Sequence, residues 1–205
     1  MNFMPGKGRR PRLIVGISGA SGVIYGVRLL ELLKDSGIET HLILSRAAQT
    51  TLAYETSLKV ADVEKLATVV HPNSDIGAAC SSGSFKTLGM IVAPCSIKTM
   101  AEIATGNTAN LISRSADVAL KERRRVVLML RETPLHIGHI RSMAAVTEAG
   151  AIVYPPVPAF YAQPKSLEEM VDHTLGRVLD LFDIDVGTVN RWTGDKARPK
   201  TPAER

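Results

Sequence analysis

The feature that most constrains this chain is an apolar run that leads directly into a glycine-rich turn and then a helix. Residues 13–15 are apolar, glycines follow at Gly16, Gly19 and Gly22, and an apolar helical periodicity runs over 23–37. Glycines let the backbone approach a ligand closely, and the free N–H groups at a helix start favour an anion. The segment predicts a turn that binds a phosphate-bearing ligand. Tight strand–helix packing is the alternative explanation.

Further apolar runs alternate with helical patterns along the rest of the chain. Strands are predicted near 41–44, 90–93, 126–130 and 151–154, and helices after 46, after 96 and over about 108–122, 137–149 and 166–182, with Pro94 ending the third strand. The runs are continuously apolar, which is typical of a parallel sheet covered on both faces. We therefore predict a single α/β domain over 13–192, a doubly wound parallel sheet in a flavodoxin-like or Rossmann-like three-layer sandwich.

The basic charge of the chain lies at its two ends. The 205 residues carry 25 Lys and Arg against 20 Asp and Glu, but residues 1–12 hold four bases and no acid. Residues 191–205 hold five bases and two acids, so the stretch between is slightly acidic. We expect basic tails at 1–12 and 193–205 and no nucleic-acid surface on the domain. The positive charge that matters for function is expected inside the fold.

Several classes of protein are excluded by simple counts. No apolar run approaches the roughly 18 residues of a membrane helix, and the N-terminus lacks the apolar core of a secretory signal. The two cysteines, Cys80 and Cys95, form no zinc-binding pattern with histidines, and Cys95 is expected to be a buried structural thiol. We predict a cytoplasmic protein with no membrane span and no metal site.

Polar residues follow several predicted strands, where parallel sheets bind ligands. Ser45 follows the second strand, and Ser96 and Thr99 stand one helical turn apart after the third, which suits either a shared ligand or ordinary helix capping. Arg131 and Glu132 follow the fourth strand. An arginine there can bind phosphate and a glutamate can supply a proton, although a structural ion pair is equally compatible.

The glycine spacing differs from the GxGxxG of dinucleotide folds, and no acid ends the second strand to hold a ribose hydroxyl. A flavin or another mononucleotide is therefore favoured. Arg46 could instead hold a 2′-phosphate, which leaves NADP as an alternative. His136 and His139 are expected at the surface or in a helix cap, and the proline-rich segment 155–164 is expected to hold Tyr161 rigidly.

Taken in order, these segments resemble the UbiX-type flavin prenyltransferases of the flavin-containing Cys decarboxylase superfamily. The similarity spans about 13–192 and rests on the segments IVGISGASGVIYGVRLL, SRAAQTTLAYET, SSGSF, APCSIKT, RSADVALKERR, RETPLH and PPVPAFY. It implies a metal-independent enzyme that transfers a dimethylallyl group from dimethylallyl monophosphate to N5 and C6 of reduced FMN. It also implies a homo-oligomer, a dodecamer built from trimers, that passes prenylated FMN to a UbiD-type decarboxylase, commonly in ubiquinone biosynthesis.

The resemblance also implies roles for individual residues. The implied flavin-binding set is Gly19, Ala20, Ser21, Ser45, Ser96, Ile97, Lys98, Thr99 and Arg131. The implied set for the prenyl phosphate is Lys121, Tyr161 and Arg177 together with Glu132, and Arg114 and Trp192 match further positions near the site. The expected catalytic residues are Glu132, as proton donor to the leaving phosphate, and Ser21 and Glu55, which would manage the proton lost from flavin C6. An FMN-dependent cysteine decarboxylase of the same superfamily and a non-catalytic flavin carrier remain alternatives.

Overall fold

The computed structural model describes residues 10–192, and the predicted tails lie almost wholly outside the described residues. Strands and helices alternate along the chain, with the β1–α1 unit containing the glycine-rich turn. The elements are β1 (Arg12–Ile17), α1 (Ile24–Leu33), β2 (Glu39–Leu44), α2 (Arg46–Glu55), α3 (Val60–Glu64), β3 (Val69–Pro72), β4 (Gly89–Cys95), α4 (Ile97–Ala104), α5 (Leu111–Lys121), β5 (Arg125–Leu130), α6 (Ile137–Glu148), β6 (Ile152–Val153) and α7 (Leu167–Asp180).

The six strands form one sheet in the order β3-β2-β1-β4-β5-β6, and every neighbouring pair is parallel. This is the strand order of the doubly wound dinucleotide-binding sheets. Without the short edge strand β3, the five remaining strands have the flavodoxin order. The strands after β1 are added first on one side of it and then, from β4 onward, on the other, so the carboxyl ends of β1 and β4 form the crevice in which such sheets bind ligands.

Each face of the sheet is covered by its own apolar layer. One layer packs α1, α2 and α7 against the sheet through side chains such as Leu30, Leu52 and Leu179. The other packs α4, α5 and α6 through side chains such as Met100, Ile112 and Val146. The predicted three-layer α/β fold is confirmed. Among the described residues, no helix is both long and apolar enough to cross a membrane.

Three details differ from the expectations drawn from sequence. Strand β1 begins at Arg12, which lies inside the predicted tail but is 9 % exposed and paired with Glu39 at 2.9 Å. Strand β4 continues through Pro94 to Cys95, and a shift in its pairing with β5 after Val92 accommodates the proline. The strand β3 was not predicted, because none of its four residues is fully buried and only alternate ones are partly buried.

Candidate active site

The carboxyl ends of four neighbouring strands are tied to one another by backbone hydrogen bonds. The Ser45 N–H after β2 donates to the Ile17 carbonyl at the end of β1, at 3.0 Å. The Arg131 N–H after β5 donates to the Cys95 carbonyl at the end of β4, at 3.1 Å. These bonds fix the polar residues that follow the strands in one row along the edge of the sheet.

Ser18 links the two central strands of this row. Its buried hydroxyl donates to the Pro94 carbonyl at 2.9 Å and accepts the N–H of Ser96 at 2.8 Å, while its own N–H donates to the same carbonyl at 3.2 Å. The glycine-rich turn after β1 is thereby fixed against the start of α4. Ser18 was not among the residues predicted to bind a ligand. Its role could have been predicted from its small polar side chain, which directly follows a buried strand and lies opposite a second strand end.

The turn that follows Ser18 approaches α2 closely. A Cβ atom on Gly19 would lie 2.4 Å from the Cβ of Ala47, so only glycine fits there. Ala20 is buried, whereas Ser21 is exposed at the tip of the turn. Gly22 has a φ of +92°, a backbone conformation that favours glycine. Close packing, the alternative considered for this motif, therefore explains Gly19, while Ser21 is left exposed to solvent or a ligand.

The carboxylate of Glu55 lies at the start of α1. It accepts the N–H of Gly22 at 2.9 Å and the N–H of Val23 at 2.9 Å. Burial acts to raise the pKa of Glu55, but hydrogen bonds from Ser21, Val23 and Gly22 and the positive charge of Arg131 together lower it. An anion is thus stabilised at this helix start by the free N–H groups and the helix dipole.

Two further helices begin at the same edge with a serine cap. Ser45 accepts the N–H of Ala48 at 3.1 Å, and Ser96 accepts the N–H of Thr99 at 3.3 Å. Both serines therefore cap helices, which is the alternative to ligand binding that the sequence also allowed. The N–H groups of Ile97 and Lys98 in the first turn of α4 have no partner within the helix and can serve a ligand. The Lys98 side chain points away to Glu102, at 3.8 Å.

Arg131 and Glu132 do not pair with each other among the described residues. The Glu132 carboxylate accepts the N–H of Thr133 at 3.0 Å, and Arg131 forms no ion pair within residues 10–192. The structural ion pair considered from sequence is therefore not formed. Both side chains are exposed beside the crevice, where a guanidinium and a carboxyl group are available to a ligand.

Lys121 lies at the opposite edge of the sheet. It ends α5 and precedes β5, whereas Arg131 follows β5. The six residues of that strand separate the two by roughly 20 Å, at about 3.3 Å per residue. The Lys121 ammonium pairs with Glu122 at 2.6 Å next to Gly83 of the SSGSF segment, whose backbone carbonyls at Gly83 and Phe85 accept the Arg124 guanidinium.

Tyr161 and Arg177 belong to a third group, around α7. The Tyr161 hydroxyl lies 3.3 Å from Nε2 of His173, and its ring meets the Trp192 ring edge-on at a centroid distance of 6.3 Å. Arg177 donates to Asp180 at 2.8 Å, and Arg191 binds both oxygens of the same carboxylate. Trp192 thus stands near Tyr161, and its place at the binding site stays a prediction.

One chain brings together the predicted flavin residues but not the predicted prenyl-phosphate residues. The flavin set stands in one row at the carboxyl edge, whereas Lys121, Arg131 and Arg177 occupy three separate places. The expectation that these charges are inside the fold is wrong for the single chain, where Lys121 and Arg177 are 49 % and 46 % exposed. Arg114, another predicted neighbour of the phosphate, pairs with Asp117 at 2.9 Å.

The remaining predicted residues occupy ordinary positions. Cys95 is buried, and burial raises the pKa of its thiol, so it is a structural thiol. His136 caps α6 by accepting the N–H of Gly138 at 3.0 Å, as expected. Within residues 10–192, no group of three or more His, Cys, Asp or Glu side chains is placed to hold a metal ion.

Comparison with known proteins identifies the family. The Flavoprotein family model matches residues 4–184. A flavin prenyltransferase UbiX from Thauera aromatica is 54 % identical over 187 residues, covering 91 % of this chain and 96 % of that protein. The UbiX of Escherichia coli K12 is 55 % identical over 186 residues, covering 89 % and 98 %. The chain belongs to the UbiX family of flavin prenyltransferases.

Solved structures agree with this membership. AnUbiX (PadA1), solved in complex with FMN and dimethylallyl pyrophosphate, superposes with a TM-score of 0.89 at 50 % identity, covering 91 % of this chain and 99 % of that chain. A dodecameric FMN-dependent UbiX-like decarboxylase from Escherichia coli O157:H7 superposes with a TM-score of 0.87 at 45 % identity, covering 89 % and 100 %. UbiX-type enzymes of known structure thus share the whole described fold of this chain.

Proposed function

We propose that the chain transfers a dimethylallyl group from dimethylallyl monophosphate to N5 and C6 of reduced FMN. The observation that carries this proposal is the row of polar strand ends, in which one chain builds an anion-binding crevice next to a carboxyl group. Membership of the UbiX family and the FMN and dimethylallyl pyrophosphate bound to AnUbiX support it. When bound, the reduced flavin supplies the two positions that are alkylated.

The crevice fits a flavin mononucleotide on the evidence of its own contacts. Support comes from the first turn of α4, where the N–H groups of Ile97 and Lys98 have no partner within the helix and can serve an anion. The N–H groups of Gly22 and Val23 at the start of α1 are already taken by Glu55. We assign FMN to the glycine-rich turn (Gly19, Ala20 and Ser21), to Ser45, to the first turn of α4 (Ser96, Ile97, Lys98 and Thr99) and to Arg131.

The prenyl phosphate site is completed by neighbouring subunits in this proposal. Lys121, Tyr161 and Arg177 are the residues assigned to the phosphate, and a leaving phosphate requires fixed positive charge. Within one chain, Lys121 lies roughly 20 Å from Arg131 at the crevice, because the six residues of β5 separate them. A homo-oligomer built from trimers would bring Lys121 of one subunit to the crevice of the next, and the dodecameric state of a relative supports assembly of this kind of chain.

We assign the proton transfers to three residues at the crevice. Glu132 donates a proton to the phosphate as the carbon–oxygen bond of the substrate breaks. Glu55, which the lowered pKa keeps ionised, removes the proton from flavin C6 with the help of the neighbouring Ser21. If Glu55→Gln transferred the prenyl group at the normal rate, this assignment of Glu55 would be wrong.

The deciding experiment is an anaerobic incubation of the protein with reduced FMN and dimethylallyl monophosphate, analysed by mass spectrometry. We expect a flavin heavier by one dimethylallyl unit, also when a metal chelator is present. Bound FMN without an adduct would support the flavin carrier, and carbon dioxide released from a peptide with a C-terminal cysteine would support the decarboxylase. A parallel incubation with the diphosphate establishes which prenyl donor is used.

The product, prenylated FMN, is a modified cofactor that another enzyme must use. We propose that a UbiD-type decarboxylase receives it, in ubiquinone biosynthesis, and that both proteins act in the cytoplasm. Activation of an apo-decarboxylase by the reaction mixture tests this step. Activation by reduced FMN alone would contradict it.

A further inference from the structure

The side chain of His173 lies between the C-terminal segment and Tyr161, and the proposed function gives it no role. His173 is on α7 and is 5 % exposed. Its two ring nitrogens have different partners. Nδ1 lies 3.4 Å from the backbone nitrogen of Asn190, and Nε2 lies 3.3 Å from the Tyr161 hydroxyl.

The backbone contact determines which ring nitrogen of His173 carries the proton. The Asn190 N–H is a donor only, so Nδ1 must accept and therefore has no proton. Burial and the neighbouring charge of Arg177 lower the pKa of His173, which favours the neutral ring. The single proton of the neutral imidazole is then on Nε2, which faces Tyr161.

The tautomer of His173 determines how the Tyr161 hydroxyl is used. Because Nε2–H is a donor, the tyrosine oxygen accepts from it, and the tyrosine proton is left free to be donated elsewhere. With the opposite tautomer, Tyr161 would donate its proton to the histidine and could offer a phosphate only lone pairs. A phosphate oxygen requires a donor.

We propose that His173 is a positioning residue that orients the Tyr161 hydroxyl as a hydrogen-bond donor to the prenyl phosphate. This inference rests on the proposed function, in which Tyr161 contacts that phosphate. The C-terminal segment contributes to this orientation, because the Asn190 N–H fixes the tautomer of His173. Gly176 allows the close approach, since a Cβ there would lie 2.5 Å from Oγ1 of Thr188.

Two amide substitutions separate the two contacts of the ring. In His173→Asn, the amide oxygen can take the place of Nδ1, but no donor is left near Tyr161. In His173→Gln, the longer side chain lets the amide nitrogen take the place of Nε2. We therefore expect His173→Asn to raise KM for dimethylallyl monophosphate about fivefold, the size of one hydrogen bond. His173→Gln should recover most of that loss, and both variants should keep FMN affinity.

Tyr161→Phe and a double variant complete the test. Tyr161→Phe should raise KM for the prenyl phosphate about tenfold or more. The double variant Tyr161→Phe/His173→Asn should be no worse than Tyr161→Phe alone. Thr174→Val is the matched control, because it removes a buried hydroxyl of α7 that bonds Met170 and not Tyr161. It should lower Tm without changing KM.

The outcomes distinguish the inference from the function on which it rests. Equal KM values for His173→Asn and wild type, with KM raised in Tyr161→Phe, would overturn the role of His173 and leave the proposed function intact. Equal losses in His173→Asn and His173→Gln, matched by losses in Tm, would mean a packing role only. No adduct from wild-type protein would overturn the proposed function itself.

Discussion

The carboxyl edge of the sheet and the surroundings of Tyr161 differ in how completely one chain builds them. At the edge, Ser18 and the backbone bonds between strand ends hold Ser45, Ser96 and Arg131 in one row. Around Tyr161, the hydroxyl and Arg177 are fixed locally, but Lys121 lies at the far edge of the sheet. In the proposed function, FMN binding therefore depends mainly on residues of one subunit, whereas binding of the prenyl donor requires the assembly.

The largest expected effect belongs to Glu132, which is exposed beside the crevice. Glu132→Gln should slow prenyl transfer by about 10²–10⁴-fold, because the leaving phosphate loses its proton donor. FMN affinity should stay unchanged, since Glu132 contacts only the Thr133 N–H within the described chain. Single-turnover formation of the adduct measures the rate, and flavin fluorescence measures the affinity. A full rate in this variant would remove Glu132 from the mechanism.

Mixed oligomers test the proposed division of the site between subunits. Lys121→Gln and Arg131→Gln should each lower activity by about tenfold to 150-fold, the value of a hydrogen bond to a charged group. Only Arg131→Gln should also weaken FMN binding. When the two weakened proteins are mixed in equal amounts and reassembled, about one quarter of the sites should combine intact residues from two subunits.

The regained activity is the deciding measurement. If Lys121 and Arg131 served the crevice of the same subunit, every site in a mixed oligomer would carry one lesion and activity would not return. Each variant refolded alone is the control, and size-exclusion chromatography confirms that the mixed oligomers have formed. Failure to regain activity in properly assembled mixtures would contradict the proposed division of the site between subunits.

A smaller effect is expected from the residue that ties the carboxyl edge together. Ser18→Ala should lower the free energy of unfolding by about 1–3 kcal/mol, because the Ser96 N–H loses a buried acceptor. FMN affinity should fall as well, whereas KM for the prenyl donor should change little. Urea denaturation measures the stability. Ser82→Ala removes an exposed hydroxyl bonded only to Ser84 and should change stability by less than about 0.5 kcal/mol.

The sequence predicted the carboxyl edge more completely than the region around Tyr161, for a physical reason. Strand ends of a parallel sheet meet at one edge, so continuous apolar runs were enough to place Ser45, Ser96 and Arg131 together. The position of Lys121 at the end of a helix fixed its place in the subunit as well. No periodicity within one chain predicts which residues of a neighbouring subunit contact these residues.

Contacts between distant segments account for the features that the sequence did not predict. The bond from Ser18 to Pro94 and the contact of His173 with Asn190 join segments far apart in sequence or across a loop, and neither belongs to a local pattern. The edge strand β3 was missed because its partial burial gives it no continuous apolar run. Arg12 was assigned to a basic tail because its ion pair with Glu39 could not be seen.

The smallest expected effect concerns the pH dependence of the Glu55 carboxylate. Because hydrogen bonds and Arg131 lower its pKa from the ordinary value of 4.5, its ionised form stabilises the fold above that pH. The contribution is lost as the pH falls below 4.5 through the lowered value. Glu55→Gln should therefore have a slightly lower Tm than wild type at neutral pH, and the difference should shrink as the pH falls below 4.5 through the lowered pKa. The effect is small because the carboxylate is exposed to solvent and screened. A Tm difference that stayed constant over this range would mean that Glu55 acts at the start of α1 through its shape and not its charge.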